Sequence, residues 1–338
     1  MGVKDVILKE LSKNRKIKVS DIVGITGFSR AYINRYFKEL KENNKIVSIG
    51  KANSSEYVIM EDREEYKEAL LRTHLILNNK DVEEHEVLKR IKYETKIFEN
   101  LKENVAGILE YAFTEMLNNA IDHSKSKKID ISMSKDNGQI FFTIRDKGVG
   151  IFNNIMKTKK LPDIMSSIQD LLKGKETTMP SRHSGEGIFF TSKAADKLKI
   201  SSFEKELIFD NEKKDIFVKN KKSLAGTKVE FLINTTQKKT LNEVFGKYTE
   251  DFSFNKTGVL VKLYKPGAGH VSRSEARRLL VGLAKFKTIE IDFDKVETVG
   301  QAFTDEIFRV WQNAHKDITI CYKNAGENVL FMIKRAKA

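Results

Sequence analysis

The chain has 338 residues, is 40% hydrophobic and 32% charged, and carries a formal net charge of +14, a balance that excludes a disordered chain and suits two or three globular domains. A single cysteine, Cys321, excludes an internal disulfide framework and a cysteine-rich metal site. No uncharged apolar run approaches the roughly 18 residues that cross a bilayer, and MGVKDVILKELSKN lacks the apolar stretch of a signal peptide, so the expectation is a cytoplasmic protein with no membrane partner.

The charge is uneven. Residues 1–60 hold 12 Lys/Arg against 6 Asp/Glu, residues 256–338 hold 15 against 9, and the middle holds 34 against 32. Basic ends around a near-neutral centre make an end module a candidate for nucleic acid, although many basic surfaces bind nothing in particular.

In chain order, Val3 to Leu11 has helical periodicity. Ser20-Asp21 supplies an N-cap for a short helix ending at Gly24, and Thr26-Gly27-Phe28 makes a turn. Ser29 caps a second helix, SRAYINRYFKELKENN, with Ile33, Phe37 and Leu40 as its apolar stripe. KIVSIG and SSEYVIM read as two short strands around the polar loop Lys51-Ala52-Asn53. This order resembles a winged helix-turn-helix domain. The resemblance implies DNA as a partner, with Arg30, Tyr32, Asn34, Arg35 and Lys38 exposed on the recognition helix. Domains of this kind also serve as protein-interaction modules, and paired half-sites would suit a homodimer, although no residue identifies one.

Asp62 to about Val105 is charged, free of proline and glycine, and read as a helical connector. Its His85-Glu86 pair lacks the rest of a phosphoacceptor motif, so His85 reads as a solvated helix residue.

The next stretch carries the chemistry. In TEMLNNAIDHS, residues Glu115, Asn119 and Asp122 fall on one helical face, with Phe113, Met116, Leu117 and Ala120 opposite. KIDISMS, the turn Asp136-Asn137-Gly138 and QIFFTIRD read as a hairpin. Asp146-Lys147-Gly148-Val149-Gly150 follows, with glycines that allow close backbone approach. Phe152 to His183 is basic and poor in helix or strand signal at both ends, which makes it a candidate mobile lid. Ser184-Gly185-Glu186-Gly187 opens the helix EGIFFTSKAADKL, whose free N–H groups favour an anion. Strands ISSFE, ELIFD, DIFVK and TKVEFLI complete the region, with Gly226-Thr227 before or at the start of the last.

Singly these signals are weak; in this order they resemble the GHKL ATPases, the group of gyrase, the related heat-shock chaperones, histidine kinases and MutL. The resemblance implies ATP and Mg²⁺ as cofactors. It implies Glu115 as the general base, Asn119 as the magnesium ligand and Asp146 as acceptor for the adenine amino group. Gly148 and Gly150 would pass beside the base, Gly185 and Gly187 would cradle the phosphates, and Thr227 would complete the adenine end. Asn118, Asp122 and His123 suit packing or capping as readily as ligand contact. Typical histidine kinases tend to carry Asn where Glu115 stands, so the resemblance leans toward hydrolysis or transfer to a hydroxyl. It leaves open an ATPase, a serine/threonine kinase of the anti-sigma-factor type acting on a separate partner, and a non-hydrolysing ATP sensor that regulates transcription. Topoisomerase-like or repair chemistry would need an additional domain after the ATPase fold.

GVLVKLY, TIEIDFD and DITICY read as strands, with SRSEARRLLVGLAKF and GQAFTDEIFRVWQ as helices between them, an alternation that argues for a small open α/β layer. IDFDKVETVGQAFTDEIFR carries a resemblance to STAS-like domains, which implies a protein partner. The acceptor serine of anti-anti-sigma factors is replaced by Val299-Gly300-Gln301-Ala302, and Thr304, the nearest hydroxyl, reads as a helix residue. The expected fold class is thus multidomain α+β and α/β: a winged helix at 1–61, the connector at 62–105, a Bergerat-type α/β sandwich for ATP at 106–255 and a STAS-like domain at 256–338.

Overall fold

A computed structural model describes residues 2–43, 45–49, 55–80, 82–175, 185–250, 253–264 and 272–338. The Lys51-Ala52-Asn53 loop, the end of the candidate lid, 176–183, and Ser184 lie outside the described residues. The chain is a mixed α+β protein with two compact units: residues 1–150 with 195–238, and residues 151–194 with 239–338. The expected ATP-binding stretch 106–255 therefore contributes to both. Among the described residues, no helix is long and apolar enough to cross a membrane.

The first unit begins with α1 (Val3–Asn14), β1 (Lys16–Ile17), α2 (Val19–Thr26), α3 (Arg30–Glu42), β2 (Ile46–Ile49) and β3 (Glu56–Ile59). The three strands form an antiparallel sheet in the order β1-β3-β2. The apolar stripes of the helices meet in one core of Ile7, Leu11, Ile22, Ile33, Phe37 and Leu40, closed by Ile17 and Ile46. Ser29 caps α3 as expected, its side chain accepting from the Tyr32 N–H at 3.2 Å. The short helix differs from expectation. It starts at Val19 because the Asp21 carboxylate reaches back to the Lys18 N–H (2.7 Å), and it continues through Gly24 to a left-handed Gly27. Gly27 supplies the positive φ that stops a helix; Gly24 is merely tolerated inside it.

Residues read as a helical connector contain a strand, β4 (Arg72–Asn78), before α4 (Glu84–Glu94) and α5 (Glu103–His123). β4 is the edge of a five-stranded antiparallel sheet with β5 (Lys128–Asp136), β6 (Gln139–Asp146), β7 (Lys197–Asp210) and β8 (Asp215–Asn234), in the order β4-β5-β6-β8-β7. The β5–β6 turn has positive φ at both Asn137 and Gly138, the hairpin geometry that this dipeptide favours. The four expected strands beyond residue 195 are two long ones, with register shifts near Phe203 absorbing what the sequence presents as breaks. One sheet face is covered by α5, whose Phe113 meets Phe142 edge-on at 5.6 Å, and Phe142 stacks on Phe231 at 4.7 Å.

The second unit contains α6 (Ile151–Lys159), α7 (Ile164–Lys173) and α8 (Gly187–Ala194). The candidate lid thus carries two helices where the sequence showed weak signal: Asp163 caps α7 through the Ser166 N–H at 2.7 Å, and Ile168 and Leu171 are buried. α9 (Leu241–Gly246) and the two-residue strands β9 (Thr249–Glu250) and β10 (Ser253–Phe254) follow. A parallel sheet of β11 (Lys256–Leu260), β12 (Thr288–Asp292) and β13 (Thr319–Lys323) then pairs in chain order, joined through α10 (Arg273–Leu280) and through α11 (Gln301–Asp305), a π-helical stretch Glu306–Trp311 and α12 (Gln312–Ala314), with α13 (Glu327–Lys337) after the last strand. This is the small α/β layer that the alternation of strands and helices predicts.

Candidate functional site

β6 ends at Asp146, and the side chain of Asp146 is 4% exposed. Its Oδ1 accepts the Gly148 N–H at 2.8 Å and the Thr227 N–H at 3.2 Å, and the Thr227 side chain adds a further hydrogen bond. Burial pushes the carboxyl pKa above its ordinary value, and the three hydrogen bonds draw it partly back. A carboxylate offers about four acceptor positions, so this group retains capacity for one more donor such as an amino group.

The backbone around it is tightly fitted. A Cβ on Gly148 would stand 1.7 Å from the Ser124 carbonyl oxygen, and the neighbouring Val149 N–H donates to that same oxygen at 2.8 Å. Gly150 has φ +74°, and a Cβ there would meet the Phe203 ring and the Ser202 hydroxyl at 2.5 Å. The glycines of the Asp146–Gly150 turn are therefore required by the protein's own packing, whatever else approaches them.

Sequence reasoning gave no role to several residues that shape this corner. Gly226, at φ +77°, would place a Cβ 2.4 Å from the Asp146 carbonyl oxygen; its position just before Thr227 was the available signal. The Ser202 hydroxyl donates to the Gly226 carbonyl at 2.9 Å. Asn79 ties the end of α5 to β4 by donating to the carbonyls of Ile121 (3.1 Å) and Ser126 (3.0 Å). These contacts join residues far apart in the chain, so no local pattern announces them.

α5 feeds the same corner. Ser124, its C-cap, holds the turn after Asp146, and Asn119 lies five residues earlier, about 7 Å along the axis at 1.5 Å per residue. Ala112, Phe113, Met116, Leu117 and Ala120 are buried, whereas Glu115, Asn118, Asn119, Asp122 and His123 are half-buried. The polar face is real, and oxygen donors on it suit a hard cation and its phosphates. The residues present fit a magnesium nucleotide: a buried acceptor with spare capacity, a glycine-lined turn and an amide-carboxylate helix face within one unit.

Gly185 and Gly187 belong to the second unit. Gly185 has φ +74°, Gly187 is the first residue of α8, and the Phe190 N–H donates to Glu186 at 3.0 Å.

On α3, Arg30, Asn34, Arg35 and Lys38 are exposed. Arg30 and Asn34 line a polar hollow of about 280 Å³ with Lys18, Ser20, Ser55 and Tyr57. Tyr32 sits in an aromatic ladder, 5.0 Å from Phe28 and 5.2 Å from Tyr36, whose hydroxyl donates to the Tyr32 oxygen at 2.8 Å. Lys38 lies 3.6 Å from Glu42. In the last domain, Thr304 is fully buried and its hydroxyl donates to the Gln301 carbonyl at 3.1 Å, as a helix residue rather than an exposed acceptor.

Comparison with protein-family models matches residues 85–209 to the histidine kinase-like ATPase domain and residues 275–330 to a STAS-like domain of unknown function. The first match spans α4 to β7 and includes Glu115, Asn119, Asp146 and the four glycines, while Thr227 lies beyond it. A comparison with curated proteins returns no match.

Proposed function

We propose that the chain is an ATP-binding regulatory protein, with a winged helix that contacts DNA at its amino-terminal end and a STAS-like module that binds a protein partner. The observation that carries the nucleotide reading is Asp146: a buried carboxylate held by Gly148 and Thr227 on the sheet whose covering helix presents Glu115 and Asn119. In this reading the Asp146 carboxylate accepts the adenine amino group and discriminates against a carbonyl at that place. The Asn119 amide oxygen holds Mg²⁺, which supplies charge neutralisation at the phosphates. Glu115 takes a proton from a water or a hydroxyl. Gly185 and Gly187 keep their assignment to the phosphates on the sequence pattern. The match of residues 85–209 supports the reading.

The experiment is nucleotide fate with purified protein and γ-labelled ATP. Free phosphate that disappears in Glu115→Gln marks an ATPase, and label on an added protein marks a kinase. Calorimetric binding of Mg²⁺-ATP with neither product marks a sensor. No heat of binding sinks the nucleotide reading.

The DNA reading rests on the exposed cations of α3 and on the hollow beside Arg30 and Asn34. Affinity for duplex DNA should fall steeply with salt, and Arg35→Ala should lower the salt slope by about one. Lys38→Ala should do less, because Lys38 already lies beside Glu42. Salt-independent or absent binding moves the module to a protein-interaction role.

A further inference from the structure

The segment between the two glycine motifs is built into the carboxy-terminal module. Residues 151–194 pack with 239–338 in one unit, and specific contacts hold them there. On α7, the Gln169 amide donates to the Leu263 carbonyl at 2.8 Å, and Lys173 donates to the Val281 carbonyl at 2.7 Å. In return, the Thr257 hydroxyl of β11 donates to the Lys173 carbonyl at 2.6 Å. Past the end of α7, Lys175 and Lys285 each approach the other's carbonyl, at 3.5 and 3.1 Å.

Aromatic packing continues the joint. Phe189 and Phe190 of α8 enter a cluster with Phe245, Tyr248, Phe254 and Phe286: Phe190 stacks on Phe245 at 4.1 Å, Phe189 meets Phe254 at 4.6 Å, and Phe254 meets Phe286 at 5.3 Å. Gly174, at φ +78°, leaves no room for a Cβ, which would stand 2.8 Å from the Phe254 ring and 2.9 Å from Phe189. An interior this tightly filled transmits displacement rather than absorbing it. α8 is also the helix that begins at Gly187.

We propose that α7, α8 and the parallel sheet β11–β13 form a single relay, through which a nucleotide at the Gly185–Gly187 backbone and a partner on the carboxy-terminal module bias one another. The relay rests on the nucleotide reading above and adds its regulation. A ligand that shifts or stiffens the start of α8 acts on Phe189 and Phe190, and hence on Phe254 and Phe286, which precede β11 and β12 in the chain. By linkage, a partner that selects one arrangement of the sheet changes nucleotide affinity by the same factor.

Hydrogen exchange of the full chain, with and without saturating Mg²⁺-ATP, tests this, with calorimetry run in parallel. The expected result is at least fivefold slower exchange in peptides covering 256–260 and 283–292, along with slowing around Asp146. In Phe254→Leu/Phe286→Leu, which cuts the aromatic path from α8, the slowing around Asp146 should persist while that in 256–260 and 283–292 is lost. Phe286→Leu alone gives the same readout should the double variant fold poorly. Heat of binding without any change in 256–292 overturns the relay alone. No heat of binding removes the nucleotide reading and the relay with it.

Discussion

Asp146 in the first unit and Lys173 in the second are both buried charges, 4% and 3% exposed, and their surroundings differ in one respect. Asp146 is gripped from one side by backbone and threonine donors and keeps acceptor capacity beside a half-buried polar helix face. Lys173 is enclosed by its own unit: it donates to the Val281 carbonyl, lies 5.7 Å from the Tyr264 ring centre, and its pKa is lowered to about 8, mainly by burial. A displaced pKa marks both, upward for Asp146 and downward for Lys173. On the proposed reading, what separates the two is whether the remaining hydrogen-bonding capacity is taken up by the protein or left for a ligand.

The largest expected effect breaks the first region by shape. Gly148→Ala forces a Cβ into the Ser124 carbonyl and should destabilise the first unit by about 3 kcal/mol or more, read by chemical denaturation. An unchanged midpoint would mean that the turn after Asp146 is looser than its contacts indicate.

The next separates function from stability. Asp146→Asn keeps an oxygen for the Gly148 and Thr227 N–H groups and removes a buried charge. Because burial raises the Asp146 pKa, its favourable contribution to stability is present at acid pH and is lost as pH rises through the folded value. At pH 7 the variant should therefore melt no lower than the parent. Its ATP affinity should fall at least tenfold, about 1.4 kcal/mol. Equal affinity would show that Asp146 is a structural charge like Lys173.

The smallest probes the second region. With the folded pKa of Lys173 depressed to about 8, the unfolded chain binds more protons between about pH 8 and 10.5, so Lys173 adds stability as pH rises through that window and withdraws it as pH falls. Urea unfolding from pH 7 to 10 should show a gain on the order of 1–2 kcal/mol from this group that is missing in Lys173→Met. A parallel pH dependence in both proteins would place the Lys173 ammonium in water.

Much of this was legible in the chain. The 3.6-residue stripes of α1, α3 and α5, the Asn137-Gly138 turn, the Ser29 cap and the alternating elements after residue 256 are local patterns, and local patterns survive folding when the core accepts them. The polar face of α5 and the end of β6 at Asp146 were readable for the same reason. β4, the merging of four short strands into β7 and β8, and the roles of Gly226, Ser202 and Asn79 were not, because each depends on a partner far away in sequence.

Residue order determined which side chains can face one another along a helix or strand, since that follows from backbone periodicity alone. Only the tertiary structure decided that helices α6 to α8 belong with residues 239–338, because that choice rests on the Phe189–Phe254 packing and the Lys173–Thr257 hydrogen bond, contacts that exist only after segments dozens of residues apart have met.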